Sequence, residues 1–294
     1  MAGAGGMLGE AFYQVFKEKY TIKCTDIDLN DDWLAYTDIT NYSEYRDSVL
    51  DFRPDFLFHL GAITDLEQCE LNPSDAYLTN TLSVENACSI AEELDIPLLY
   101  ISTAGIFDGC KDIYDDWDTP SPLGVYGRSK YLGEQIVQSR TSKHFICRAG
   151  WMMGGGIAKD KKFIKKIMDQ ILGGCDVLHI VNDKLGTPTY TYDFANNVLQ
   201  LIETPYYGLY NMVCGGTTGR LEVATEILAH LGLTDSIKIQ SVPSDYFKDQ
   251  YFAARPASER LINTKLILRN LNSMNNWKDS LHHYLDTAYK QLLN

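Results

Sequence analysis

The sequence predicts an α/β protein in which a parallel sheet is doubly wound, with helices on both faces. Three observations lead there. Apolar, strand-length runs alternate with amphipathic, helix-length runs from about residue 21 to residue 148, with short connections. A glycine-rich turn, Gly3-Ala4-Gly5-Gly6-Met7-Leu8-Gly9, leads directly into an amphipathic helix. The apolar run 97–101 ends in Ser102-Thr103, so it carries hydroxyls at its carboxyl end, the edge where open α/β sheets bind ligands.

The turn at 3–9 is followed by a helix from 10 to about 19. Glycines at 3, 6 and 9 suit a bend in which backbone N–H groups and a helix N-terminus receive a pyrophosphate, with Gly5, Met7 and Leu8 completing the cradle. Such a turn normally follows an apolar strand; almost no residues precede it here, so the sheet is expected to lack its first strand. Residues 21–26 read as the next strand and end in Asp26, a carboxylate placed to accept from a ribose diol and repel a 2′-phosphate. Asp38-Ile39-Thr40 leads into a helix near 43–52, where Asp38 and Ile39 could flank an adenine. The run 54–62 is a buried parallel strand whose end, Leu60-Gly61-Ala62, is small enough to admit a cofactor. His59 within it reads as a satisfied interior histidine. A long amphipathic helix is predicted over 72–94 and another over 126–139, with a strand at 144–148 after it. Beyond residue 154 the alternation loosens into a basic helix (159–172), a strand (176–181) and a helix near 193–203. Residues 1–150 with about 178–203 are therefore expected to form the dinucleotide-binding domain, and about 151–177 with 204–294 a smaller α+β substrate region.

The chemistry concentrates at Tyr126 and Lys130. Four residues apart, they share one face of a helix, where an ammonium beside a phenol favours the phenolate. That suits proton transfer to or from a carbonyl oxygen near neutral pH. Thr103 could hold the same oxygen. Taken alone, such a pair is ordinarily a surface lysine beside a half-buried tyrosine. Composition sets outer bounds. With 294 residues, 45% of them hydrophobic, the chain can bury a sizeable core, and a net charge of −13 argues against a nucleic-acid or anionic-membrane partner. Seven dispersed cysteines without a C-x-x-C suggest reduced thiols with no metal site, and the whole reads as a cytoplasmic protein.

With these pieces in order, the chain resembles the extended short-chain dehydrogenase/reductases, and among them the dTDP-4-dehydrorhamnose reductases. The likeness runs nearly end to end: the turn at 3–9; Ala62-Ile63-Thr64 with Glu67 and Glu70; Ser102-Thr103 with Tyr126-x-x-x-Lys130; and Arg148-Ala149-Gly150-Trp151. It continues through Gly186-Thr187-Pro188-Thr189-Tyr190 to Ala254-Arg255-Pro256 with Ser258, set against the family's Arg-Pro-x-x-Ser. The resemblance implies a Rossmann-like domain, NAD(H) or NADP(H) as cofactor with NAD(H) favoured by Asp26, and a nucleotide-sugar substrate. It also allows a homodimer. It implies reduction of a sugar 4-keto group in deoxysugar or cell-surface polysaccharide synthesis. Tyr126 would donate the proton, Lys130 would bind the nicotinamide ribose and lower the tyrosine pKa, and Thr103 would steady the oxygen. Thr64, Ser102, Trp151 and Arg255 would contact substrate, Arg255 near its anionic nucleotide end.

The chain departs from the family where Ser102-Thr103 continues as Ala104-Gly105-Ile106-Phe107 instead of Asp-Tyr-Val-Phe. The missing tyrosine is one the family uses on substrate, which leaves the sugar open. Ala104-Gly105 can supply neither acid nor base, which disfavours a 4,6-dehydratase. Two alternatives stay open: a 4-epimerase, which would retain its cofactor, and a non-catalytic cofactor-binding regulatory subunit, which would not need Tyr126.

Overall fold

In a computed structural model, residues 1–292 are described. Their central sheet is parallel throughout. Leu57–His59, Leu98–Thr103, His144–Ala149 and Gly208–Asn211 lie side by side in that order, and Cys24–Asp26 pairs with Leu34–Tyr36. Where the sequence predicts a first strand to be lacking, Met1-Ala2 lies between the two halves of the sheet. Ala2 bridges both Thr25 and His59. Its N–H donates to Phe58 O and its carbonyl accepts from Leu60 N, each at 2.8 Å, while Thr25 N donates to Met1 O at 2.9 Å. Two residues thus join the halves of the sheet. The resulting spatial order reverses direction at Met1-Ala2, the switch point beside which doubly wound sheets open a ligand crevice.

The period of two along each strand divides the core between the sheet's faces. Leu99, Phe145 and Cys147 enter the larger cluster, with Phe12 and Phe16 of the first helix (Met7–Phe16) and Phe194 of Thr191–Ile202. Leu98, Tyr100 and Ile146 face the other way, onto Val84, Ile90 and Val137 of Ser83–Leu94 and Val125–Arg140. Phe12, Phe16 and Phe58 meet edge to face at 5.5 Å between ring centres, an arrangement the ring quadrupoles favour.

Two predicted helices are interrupted. The long one over 72–94 is Pro73–Tyr77 and Ser83–Leu94 joined by a π turn, Leu78–Leu82. The turn rotates Asn80 inward, where its amide donates to Ile63 O (2.9 Å) and Ser129 Oγ (3.0 Å) and accepts from Ile63 N (2.8 Å). The wide turn therefore ties the cofactor-side loop to the Tyr126 helix. The basic helix over 159–172 divides into Gly156–Lys159 and Phe163–Leu172; between them Asp160 accepts from Lys162 N at 2.7 Å and from Tyr284 Oη at 2.9 Å.

The later strands interleave. Gly208–Asn211 extends the central sheet, whereas Val177–Val181 pairs with Lys238–Val242 outside it. His59 is an interior histidine with both ring nitrogens partnered, by Tyr45 Oη and Ser83 Oγ at 3.1 Å each. Burial, with a smaller effect from the Lys130 charge, pushes its pKa down to about 3. Among the described residues no helix is long and apolar enough to cross a membrane.

Candidate active site

One cleft of about 2040 Å³ runs along the carboxyl edge of the sheet, and the residues singled out from the sequence line it. At its dinucleotide end, Gly3 has φ +76°, and a Cβ there would lie 2.2 Å from Gly61 Cα, so both backbone freedom and close approach require glycine. Gly6 precedes the first helix without a side-chain cap, which leaves that helix's first N–H groups facing the cleft. Met7 and Leu8 open the helix and line the wall. These features fit a pyrophosphate. Asp26 ends its strand and accepts from Gly5 N (2.8 Å) and Asp28 N (3.0 Å), so one carboxylate braces the turn and still faces the cleft. Asp38 accepts from Thr40 N (2.9 Å) and Thr40 Oγ1 (2.7 Å), which shapes the bend carrying Ile39. Ile39, Leu60, Gly61 and Ala62 complete this end.

At the reactive end, Thr103 closes the strand Leu98–Thr103, and its Oγ1 accepts from Gly105 N at 3.1 Å. Tyr126 and Lys130 stand on successive turns of Val125–Arg140, and both reach the cleft. The start of this helix is held by Glu70, whose Oε1 accepts from Val125 N at 2.7 Å. Burial pushes the Tyr126 phenol up to about 12, a hydrogen bond with Thr103 works against this, and Glu259 and Cys69 add to the rise. The expected lowering by Lys130 is therefore not what governs Tyr126 here. Lys130 is itself 4% exposed, and burial brings its ammonium down to about 7 against the pull of Glu134. The Lys130 Nζ lies 4.3 Å from the centre of the Tyr100 ring.

The remaining wall carries the expected substrate contacts. Ser102 is buried beside Thr103, and among the described residues its hydroxyl has no hydrogen-bond partner. Thr64 Oγ1 accepts from Lys162 Nζ at 2.9 Å, and burial lowers that ammonium's pKa. Trp151 donates from Nε1 to Glu259 Oε2 at 2.7 Å. Arg255 lines the cleft but is held by Glu67 through two hydrogen bonds of 2.7 and 2.8 Å, so its charge is already balanced.

Three residues that sequence reasoning passed over share this wall. The Arg220 guanidinium lies 4.1 Å from the Trp151 ring centre and 4.3 Å from that of Phe163. No spacing pattern announces it, because both rings lie more than fifty residues before it in sequence. Lys162 is the second. Glu259 is the third, and here a signal existed. Counting Arg-Pro-x-x-Ser from Arg255 puts the last place at residue 259, not at Ser258. Ser258 is buried and donates from Oγ to Asp112 O, away from the cleft. Among the described residues no group of three or more His, Cys, Asp or Glu side chains could hold a metal ion.

The profile of the RmlD substrate binding domain family matches residues 1–290. A dTDP-4-dehydrorhamnose reductase of Salmonella typhimurium is 30% identical over 245 residues, covering 80% of each chain. In fold, a dTDP-4-dehydrorhamnose reductase of Clostridium acetobutylicum superposes with a TM-score of 0.86 at 28% identity, and one of Bacillus anthracis in complex with NADP with 0.84 at 27%. Each of these two pairs is covered to 97% of both chains. A Thermus thermophilus UDP-glucose 4-epimerase in complex with NAD has a TM-score of 0.80, covering 97% of this chain and 96% of its own; at 16% identity it shows the fold alone.

Proposed function

The chain belongs to the RmlD substrate binding domain family, and on that premise we propose that it is an NAD(P)H-dependent reductase of the 4-keto group of a nucleotide-linked 6-deoxysugar. The proposed setting is deoxysugar and cell-surface polysaccharide synthesis. The observation that carries this is the convergence of the Thr103 hydroxyl, the Tyr126 phenol and the Lys130 ammonium in the cleft that also holds the glycine turn.

The nicotinamide supplies the hydride when bound. Gly3, Gly5, Gly6, Met7 and Leu8 would cradle the pyrophosphate, Asp26 would accept from the adenosine ribose, and Asp38, Ile39, Leu60, Gly61 and Ala62 would flank the adenine half. Lys130 would bind the nicotinamide ribose. Thr103 and Tyr126 both line the cleft, and their hydroxyls would together hold the substrate's carbonyl oxygen. Tyr126, kept protonated by burial, holds the proton that the oxygen needs as negative charge develops on it. Thr103, beside Tyr126 in the cleft, would offer a second contact to the same oxygen.

The substrate would lie with its sugar against Trp151, Ser102 and Thr64 and its nucleotide toward the segments 151–177 and 204–294. Lys162 and Arg220 supply cations on that side of a strongly acidic chain. Asp26 supports NADH over NADPH. A cytoplasmic setting and a homodimer belong to the same reading; exposed Leu71, Leu78 and Leu82 offer apolar surface for the contact.

The test is to incubate the purified, folded protein with NADH or NADPH and a panel of nucleotide-linked 4-keto-6-deoxysugars while following nicotinamide absorbance. Oxidation that depends on the ketosugar is the expected result; none with any member of the panel would overturn the reading.

A further inference from the structure

Tyr126 has a second polar neighbour that the reduction itself does not use. Glu259 sits on the two-residue strand Ser258–Glu259, whose parallel pairing with Leu185–Gly186 fixes its direction. One oxygen, Oε2, is held by Trp151 Nε1 at 2.7 Å. The other, Oε1, faces Gly105: a Cβ built there would lie 3.4 Å from Oε1, 3.5 Å from Thr103 Oγ1 and 3.5 Å from the Tyr126 ring. These are ordinary contact distances, and the backbone of Gly105 is outside the left-handed region. Neither strain nor crowding demands glycine at this position. What the missing side chain leaves is room.

That room is part of a cavity of about 40 Å³ whose lining includes Glu70, Gly105, Tyr126, Ala253 and Glu259 beside apolar Leu66, Leu123 and Pro256. It is large enough for one small polar group or a water or two. Glu70 Oε1 is engaged by Val125 N and fixes the helix start, while Glu259 Oε1 is the carboxylate oxygen that faces Gly105. An ionised carboxylate accepts and cannot donate. Arg220, stacked on the Trp151 ring, feels the Glu259 charge and sits on the same wall.

We propose that Gly105 and Glu259 form a specificity pocket beside Tyr126 that receives a hydrogen-bond-donating substituent, hydroxyl or amino, on the sugar carbon next to the reacting carbonyl. The proposal rests on the reductase reading and deepens it. The phenol fixes where the carbonyl oxygen lies, and the cavity touches the same ring, so the group it admits belongs to an adjacent ring position. A substituent without a donor leaves a desolvated carboxylate oxygen unpaired, a cost that falls on the analogue. Space left by Gly105 lets the group in; Glu259 selects it.

The experiment compares kcat/KM for three nucleotide-linked 4-keto-6-deoxysugars that differ only at the adjacent carbon: 3-hydroxy, 3-amino and 3-deoxy. The wild-type protein should prefer a donor-bearing sugar over the 3-deoxy one by roughly 10- to 150-fold, the range for a hydrogen bond to a charged group. Glu259→Ala should bring that ratio toward unity. Glu259→Gln keeps a neutral acceptor, so it should retain part of any hydroxyl preference and lose any amino preference. Gly105→Tyr should abolish discrimination by filling the cavity. Fluorescence quenching by added cofactor checks that each variant is folded; if Glu259→Ala is not, the Glu259→Gln ratios decide. A flat wild-type ratio, or a ratio unchanged in the Glu259 variants, overturns the pocket while leaving the reductase reading intact. If the wild type turns over none of the three sugars, the reductase reading fails. The pocket is then judged from their dissociation constants in the presence of NAD⁺, where the same ratios support or sink it.

Discussion

Tyr126 is half-buried, and desolvation of its phenol pushes the pKa up to about 12, so it stays protonated across the physiological range and is ready to act as an acid. Tyr126→Phe removes that proton without changing the ring's volume. Turnover should fall by roughly 10²- to 10⁴-fold, the usual contribution of a positioned general acid, while the cofactor dissociation constant changes little. Steady-state kinetics and a fluorescence titration on the same preparation separate the two. Asp26 works at the other end of the cleft. Asp26→Asn removes the charge that would oppose a 2′-phosphate and keeps an acceptor for Gly5 N. The ratio of kcat/KM with NADPH to that with NADH should rise roughly tenfold, a change of about 1.4 kcal/mol. An unchanged ratio would mean that Asp26 serves only to brace the turn. Both residues could be picked out from their place in the chain, because each belongs to a short local pattern. Arg220 could not be picked out in that way, because its partners lie far off in sequence; Glu259 was marked only by its place in Arg-Pro-x-x-Ser, which says nothing of its partners Trp151 and Gly105.

Helix Val125–Arg140 carries the reactive pair, and its position depends on contacts away from the cleft. Glu134 on this helix and Arg148 on strand His144–Ala149 form a two-fold hydrogen-bonded ion pair at 2.9 and 2.8 Å, with exposures of 1% and 3%. On the same helix, the Lys130 carbonyl accepts from Tyr100 Oη at 3.0 Å. Removing one partner from a buried pair leaves the other charge unpaired in a poor solvent for it. Glu134→Ala should therefore cost about 3–5 kcal/mol of folding stability, read as a lower midpoint in urea unfolding. A loss below about 1 kcal/mol would show that water reaches Arg148 once the carboxylate is gone. Strands and helices of this kind are readable from their apolar period. The breaks within them are not. The π turn at Leu78–Leu82 follows from the demand of Asn80 for three partners on two other segments, a requirement invisible in a run of sequence that looks uniformly helical.

For the molecule as a whole, the site is built at a cost in stability that pH exposes. The folded Lys130 pKa is about 7, against an ordinary value of 10.5, because burial disfavours the ammonium. Between those values the unfolded chain binds more protons at this position than the folded one, so Lys130's contribution makes stability rise with pH. Its cost is complete below pH 7 and fades toward pH 10.5. Lys130→Met should accordingly be more stable than wild type at pH 6 to 7, with the difference shrinking as pH is raised toward 10; parallel denaturant melts across that range check it, and a gap independent of pH would refute it. The alternating apolar runs, the glycine turn, the acid after the second strand and the Tyr-x-x-x-Lys spacing were enough by themselves to determine a doubly wound α/β chain of nucleotide-sugar reductase type, since each depends on neighbours within a few residues. Only the tertiary structure decided that two N-terminal residues fill the sheet's central place, that burial and not Lys130 sets the Tyr126 proton, and that Glu259 and Gly105 meet beside it. Those outcomes depend on desolvation and on contacts between segments from about twenty to more than a hundred and fifty residues apart, which no local pattern encodes.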